Sequence, residues 1–580
     1  MKFKEISNYL EKINNTSSRL EITSILYELF TNFEKENISK LIYFCKGDLD
    51  AKYKSDELNI GPNILLNLIS EYLSLPLENI KKDFYELGDL GLVIEKNYGS
   101  LKQKTLFSKE LSFEDVYLTF KKISLISGNG SIDQKQKLFK YILFNSDSVS
   151  AKYIVRFPLS FRLGFSDSTI IDALSLVDKS FDSKKAKELI TSKYLIVSDL
   201  GLIADIIFNK GIEYLKELSI TPFIPIKSQL CERAKSITEI IERLSNKDQK
   251  VFAVDSKIDG FRQQVHKKGD VIKIFTRQES EVSDTFPDLV EELKKINMDF
   301  IIDCEAIGYD AENKKYHSFQ VTMQRKRKYN LKEKSKELPL HLKVFDLLYL
   351  NGKEIYNLPF KERRKLLEKY FNISEIVKTT ELIYTDSVEK TKAFFNNRLD
   401  LNFEGIICKD INETYKAGSR GYSWIKFKKS YDKVHDTVDA IIAGVFYGQG
   451  RRSELGIGAI LTALFDSNTN KYYTVAKLGS GLSEDIIKEL NIKFEGLKSI
   501  KKPLNLVSNI TPDYYITPKI TIEINFDEIT RSSVHTACYD EELKQGLALR
   551  FPRLVRIRSD KENETNSLET LNKLYIYQNQ

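Results

Sequence analysis

The run Val254-Asp255-Ser256-Lys257-Ile258-Asp259-Gly260-Phe261-Arg262 sets a lysine at the end of an apolar strand pattern, between two carboxylates and an arginine. A lysine amine attacks an electrophile only after it has lost its proton. Packing against Val251, Val254 and Ile258 is expected to favour the uncharged amine, as are the cations Arg262, Lys426 and Lys428 if the fold gathers them. The carboxylates pull the other way unless a bound divalent cation offsets their charge. Taken singly, such a lysine is most often a salt-bridged strand end.

Alternation of side chains along strands sorts the other candidates by face. In MDFIIDCEAI, Phe300, Ile302 and Cys304 share one face, and Asp303 and Glu305 share the other. In SWIKFKK, Ile425 and Phe427 point one way, while Trp424, Lys426 and Lys428 point the other. In LVRIRSDK, Val555 and Ile557 alternate with Arg556, Arg558 and Asp560. In FEGIICKD, Glu404 opens a strand on the face of Ile406 and Cys408. Together these residues supply a nucleophile, several carboxylates and several cations. That set suits phosphoryl or nucleotidyl transfer, in which cations neutralise phosphate oxygens and carboxylates hold a metal.

The elements that must position these groups fall into three regions. A chain of 580 residues suggests about three or four domains. Up to about residue 215, apolar residues recur at helical spacing, as in Leu20-Ile22-Ile25-Leu26-Leu29-Phe30. Gly-containing breaks interrupt these helices at 60–63, 87–92, 127–131 and 162–167. Such turns serve as plain connections or aim backbone N–H groups at phosphates. The Pro-rich ITPFIPIKSQL at 220–230 is an extended connector, and a boundary is expected near 220. Short alternating strands follow to about 430, with helices at 287–296 and 360–370. Strands near 437–448, 457–466, 471–478 and 519–526 then fit a small closed barrel. No internal repeat is apparent.

Composition narrows the setting. Hydrophobic residues form 42% and charged residues 29%, as in a soluble globular protein. No apolar run approaches the roughly 20 residues of a membrane span. The opening MKFKEISNYLEK reads as an amphipathic helix and not as a signal peptide, so a cytoplasmic location is expected. Cys45, Cys231, Cys304, Cys408 and Cys538 are far apart, which argues against a zinc site or disulfide frame. The net charge of +7 is compatible with nucleic acid.

The ordered series KIDGFR, FTRQ at 275–278, FIIDCEA, KVFDLLYLNG at 343–352, FEGIICK, YKAGSRGYSWIKFKK at 415–429 and ALRFPRLVRIRSDK at 548–561 resembles the successive motifs of an ATP-dependent DNA ligase. The N-terminal SSRLEITSIL, LGDLGLV, SGNGS, YIVRFPLSFRLGFSD and SDLGLIAD resemble the helical DNA-binding domain of the archaeal-type replicative ligases. The resemblance implies a multidomain α+β protein. A helical DNA-binding domain at 1–219 precedes an adenylation domain at 220–430 and an OB-fold at 431–580. It also turns the Gly breaks into expected backbone contacts to DNA.

The implied reaction passes AMP from ATP to Lys257, then to the 5′-phosphate of a nick, and ends with attack by the 3′-OH. Phe345 is expected to stack on adenine, Asp255 to read it, and Glu305 with Arg262 to hold the ribose. Glu305 and Glu404 are expected to bind Mg²⁺. Lys426 and Lys428 would clamp the α-phosphate, Arg277 would meet the nick 5′-phosphate, and Asp259 would serve the 3′-OH step. Arg420 would contact the adenylate or the DNA backbone. Arg558 and Lys561, with Asp560, would engage the leaving pyrophosphate. Gln103, Leu106 and Phe107, in Gln103-Lys104-Thr105-Leu106-Phe107, resemble a sliding-clamp peptide. Three departures stand out: Asp255 where the family usually has Glu, Ser228-Gln229-Leu230 for a commoner Pro-Met-Leu, and Cys304 on a buried strand face. An RNA ligase, a capping guanylyltransferase and a non-catalytic DNA-binding scaffold share parts of the pattern. The helical N-terminal region favours the DNA ligase, acting as a monomer on nicked duplex.

Overall fold

The computed structural model describes residues 1–580 apart from 55–56, 101–109, 160, 162, 246–250, 326–330, 373, 429–436, 449–454, 562–563 and 580. Among the described residues no helix is long and apolar enough to cross a membrane.

The N-terminal part is helical, from Phe3–Asn14 to Leu200–Asn209. Ser18, Asp89, Ser112, Asp147, Asp182 and Asp199 cap helix starts with their side chains, satisfying N–H groups that have no partner inside the helix. The core is aromatic at its centre: Phe44 stacks on Phe157 at 4.6 Å, and Phe157 on Phe120 at 4.7 Å.

A four-residue pattern is used twice, which the sequence reading passed over. Asp89-Leu90-Gly91-Leu92 and Asp199-Leu200-Gly201-Leu202 each start a helix, and each Asp accepts from the N–H three residues on at 2.9 Å. Asp89 also pairs with Arg156 at 3.1 Å, and Asp199 accepts the hydroxyls of Tyr43 and Tyr53 at 2.7 Å. A Cβ at Gly91 would sit 2.8 Å from the Lys152 carbonyl, and one at Gly201 would sit 2.2 Å from the Tyr43 ring. These glycines therefore exist for close packing. The expectation that the 87–92 break offers backbone to DNA is corrected at Gly91, which lies in a buried helix start. The SGNGS turn differs: Gly128 and Gly130 are exposed with open space around them.

The central part has two main sheets. In the first, the strands lie in the order Leu230–Arg233, Arg420–Lys428, Gly405–Lys409, Phe252–Lys257 and Leu382–Thr385. In the second, they run Val271–Thr276, Phe261–Lys268, Phe300–Asp310, Leu340–Leu350 and Lys353–Glu354. Helices Ile237–Leu244 and Val388–Asp400 cover the outer face of the first sheet. Pro287–Lys294 and Phe360–Tyr370 cover the second. The chain crosses from the first sheet to the second between Lys257 and Phe261, so the lysine stands at the junction.

The C-terminal part is a closed five-stranded barrel of OB type, built from Thr437–Phe446, Ala459–Asp466, Lys471–Leu478, Thr521–Asn525 and Arg553–Ile557. A parallel bridge between Ser480 and Arg553 completes the circuit. A three-stranded sheet, Glu528–Ser532, Ala537–Asp540 and Gln545–Arg550, is inserted before the last barrel strand. The helix Leu568–Asn579 packs on it, and the Gln578 amide bonds both backbone groups of Ile529 at 2.7 and 3.0 Å. The parity expected for the last barrel strand is corrected. A bulge lets Leu554 and Ile557 face inward, leaving Val555 48% exposed.

The connector at 220–226 is fastened to the second sheet. His266 Nδ1 accepts from Phe223 N–H at 2.9 Å, and Gln264 bonds both backbone groups of Ile226 at 2.8 and 3.2 Å. The Nε2 of His266 therefore carries the proton and donates to Gln264 Oε1 at 2.9 Å. Burial pushes this imidazole down to about 3. The unfolded chain takes up the proton near 6.5, so the clip stabilises the fold above that pH and the contribution is lost as pH falls toward 3. The change is on the order of a few kcal/mol. Acid unfolding followed by fluorescence should show a shallower loss of stability in His266→Asn, whose amide oxygen can still accept from Phe223. An unchanged slope would remove His266 from the acid response.

Candidate active site

Lys257, Glu404 and Lys428 meet because three strands run side by side. Gly405 pairs with Lys257 on one flank and with Lys428 on the other. Its φ of 154° and a Cβ position only 2.1 Å from the Phe427 carbonyl leave room for glycine alone. The Glu404 N–H donates to the Lys257 carbonyl at 2.9 Å, which fixes the glutamate beside the lysine. Lys257 Nζ donates to one Glu404 carboxylate oxygen, and Lys428 pairs with the other. The burial expected from Val251 and Val254 is corrected: Val254 faces the opposite core and Val251 is 39% exposed. Ile258 alone of the three stands beside the site.

A cavity of about 210 Å³ opens beside Lys257. Asp255, Lys257, Asp259, Arg262, Arg277, Glu305, Phe345, Arg420 and Lys426 all line it. The fold thus gathers most of the expected residues, although they come from strands of both sheets. At one end Phe345 meets Trp424 edge-on at 6.1 Å, and the Arg262 guanidinium lies 5.3 Å from the Phe345 ring centre. Arg262 is held by Asp303 at 2.8 Å and by the Gln229 carbonyl at 2.7 Å. The Tyr415 hydroxyl donates to the same Asp303 at 2.5 Å.

Charge is left over for a ligand. Arg277, Arg420 and Lys426 form no ion pair among the described residues, yet all three line the cavity. Burial lifts the Glu305 carboxyl to about 7, against the opposing pull of Lys257 and Arg262. Burial and Lys257 lower Lys426, and the same causes bring Lys428 down to about 8. Asp303 Oδ1 and Arg262 Nε are buried without a partner among the described residues. Buried polar atoms of this kind are rare in folded proteins. No cluster of three or more His, Cys, Asp or Glu among the described residues could cage a metal. Glu305 and Glu404 offer hard oxygens instead. They fit a Mg²⁺ ion that takes one or two carboxylates and completes its shell with water and substrate phosphates.

Some expected residues lie elsewhere. Arg558 and Lys561 are in the barrel, both paired with Asp439 at 3.1 Å, and Arg558 also with Asp560 at 2.8 Å. Arg550, on the inserted barrel sheet, pairs with Glu528 at 2.8 Å and lies 5.9 Å from the Phe319 ring, and the charges of Arg550 and Glu528 both act on Lys428. Gln103, Leu106 and Phe107 lie outside the described residues. Sequence reasoning missed Lys409, Tyr415 and Gln229. Gln229 is 1% exposed and fully bonded, to Tyr415 at 2.9 Å, Ser423 at 3.1 Å and Lys416 at 2.8 Å. Its signal was present as the departure from Pro-Met-Leu. Asp303 shared the polar parity of Glu305, and that was its signal.

Three family models match the chain: "DNA ligase N terminus" over residues 2–175, "ATP dependent DNA ligase domain" over 228–428 and "ATP dependent DNA ligase C terminal region" over 453–561. A probable DNA ligase of Dictyoglomus turgidum is 38% identical over 97% of this chain and 95% of its own length. A DNA ligase of Acidianus ambivalens is 36% identical over 98% of this chain and 97% of its own. A solved structure named Pmar-Lig_Pre is 15% identical, with a TM-score of 0.53 over 95% of this chain and 99% of its own, a likeness of fold.

Binding of a nucleoside triphosphate should weaken above pH about 8 as Lys428 loses its charge. In Lys428→Arg, titration calorimetry should find the affinity holding to higher pH. The same alkaline loss in that variant would take Lys428 out of phosphate binding.

Proposed function

Because this chain belongs to the ATP-dependent DNA ligase family, we infer that it seals 5′-phosphate/3′-OH nicks in duplex DNA through a lysyl–AMP intermediate. The observation that carries this reading is Lys257 on the wall of a cavity lined by unpaired cations and by the aromatic ring of Phe345. An amine facing such a cavity meets a triphosphate with its phosphorus toward the lysine and its base toward Phe345.

Lys257 Nζ attacks the α-phosphorus, forming an N–P bond as the bond to pyrophosphate breaks. AMP then passes to the nick 5′-phosphate, and the 3′-OH displaces it. Phe345 stacks on adenine, Asp255 reads it, and Glu305 with Arg262 holds the ribose. Lys426 and Lys428 clamp the α-phosphate. Arg277 meets the nick 5′-phosphate, Arg420 the adenylate or the DNA backbone, and Asp259 serves the 3′-OH step. Mg²⁺ held by Glu305 and Glu404 supplies, when bound, neutralisation of charge on the phosphate oxygens. Arg558 and Lys561 reach pyrophosphate only if the barrel turns and they leave Asp439.

The working division is 1–219 for DNA binding, 220–430 for adenylation and 431–580 for the OB-fold. The enzyme acts as a monomer in the cytoplasm, in replication, repair and recombination. It grips DNA mainly through phosphates, so binding weakens with salt. Gln103–Phe107 is assigned to a sliding clamp.

The test uses nicked DNA and nicked RNA duplexes with ATP or GTP. ATP-dependent sealing of the DNA nick is expected, abolished by Lys257→Ala while nick binding persists. Sealing of RNA alone, or label transfer from GTP alone, would move the protein to an RNA ligase or capping activity.

A further inference from the structure

The cavity contains a buried ion pair, Lys409 with Asp255, of which the roles above use only Asp255. Lys409 and Asp255 both line the cavity, and their side chains are 1% and 2% exposed. Lys409 Nζ donates to Asp255 Oδ2 at 2.7 Å. It also donates to the backbone carbonyl of Phe345 at 3.3 Å. The two contacts belong to different sheets. Asp255 and Lys409 stand on the first, Phe345 on the second. One amine therefore spans the junction and ties the carboxylate to the strand that carries the aromatic ring. The amine lies 4.5 Å from the Trp424 ring centre, 4.7 Å from that of Phe360 and 5.3 Å from that of Phe345, so aromatic faces surround its remaining side.

Asp255 is held in orientation as well. Its Oδ1 accepts from Ser256 N–H at 2.8 Å while Oδ2 accepts from Lys409. A carboxylate has about four acceptor positions, so one remains on each oxygen. What it presents to the cavity is acceptor only. A base with an amino group at that edge gains a hydrogen bond, and a base without one leaves a buried acceptor unpaired. The side chain is one methylene shorter than glutamate, so small changes in its placement decide whether it reaches the base.

We propose that Lys409 is a positioning residue for base recognition, which acts through Asp255 and Phe345 by fixing the distance between the carboxylate that reads the base edge and the ring that stacks on its face. The proposal rests on the reading of this cavity as the adenosine nucleotide site. A lysine that only filled the core would affect all nucleotides alike.

The experiment measures lysyl–nucleotide formation by the full chain with ATP and with purine riboside triphosphate, which lacks only the 6-amino group. The wild type is expected to prefer ATP. Lys409→Met should lose about ten-fold or more of that preference, chiefly through a higher KM for ATP. Because Lys409→Met leaves a lone buried carboxylate that can unfold the protein, Asp255→Asn/Lys409→Met is measured beside it. The double variant carries no uncompensated charge and should melt near the wild type, yet its preference for ATP should stay lost. Retention of the preference in Lys409→Met would overturn the role of Lys409, and its return in the double variant would overturn the reading by Asp255 through which Lys409 acts. A wild type that forms no adduct with either nucleotide would instead overturn the nucleotide site itself.

Discussion

One carboxylate holds two lysines. Glu404 accepts from Lys257 and pairs with Lys428 at the point where the chain passes from one sheet to the other. Two cations so close would separate in water. Here they stay together because three hydrogen-bonded strands set their backbones side by side, with Gly405 allowing the close approach. The low level of Lys428 follows from this crowding as well as from burial. An incoming phosphate and a divalent cation would redistribute these charges, the phosphate toward the lysines and the metal toward Glu404. The site is thus an arrangement of charge completed by its substrate.

Behind it stands a polar column that joins the pocket to the rest of the molecule. Asp303 takes Arg262 and Tyr415, Arg262 and Tyr415 both bond Gln229, and Gln229 leads back into the connector fastened by His266 and Gln264. The helical part docks nearby, where Tyr53 meets Phe275 edge-on at 6.5 Å, and Lys227 of the connector lies 4.5 Å from the Tyr194 ring centre while pairing with Glu279 at 2.6 Å. Arg277, which lines the cavity, lies on the turn between Phe275 and Glu279. Movement of the helical part over DNA would therefore be felt at the residue assigned to the nick phosphate.

Much of this was legible in the sequence because strand parity is a local property. Phe300, Ile302 and Cys304 go to the core and Glu305 to the cavity, as alternation requires. Parity failed at Val555, where a bulge shifts the register by one residue, something composition does not announce. Closeness along the chain misled at Val254, which alternation itself places on the face opposite Lys257. Lys409 was invisible for a different reason. Its partners Asp255 and Phe345 are 154 and 64 residues away, and only the meeting of two sheets brings them together. The paired Asp-Leu-Gly-Leu helix starts were too short to register as a repeat until their shared packing was seen.

Arg558 and Lys561 do not line the cavity. Both rest on Asp439, the third residue of the first barrel strand, so their charge is satisfied within the barrel. None of this matters unless the lysine at the sheet junction reacts. The most direct measurement is the intact mass of the protein after mixing with ATP and Mg²⁺, followed by identification of the modified peptide. The expected result is a gain of one adenylate, acid-labile and located on Lys257. No nucleotide gain under any metal condition, or an adduct on another residue, would contradict it.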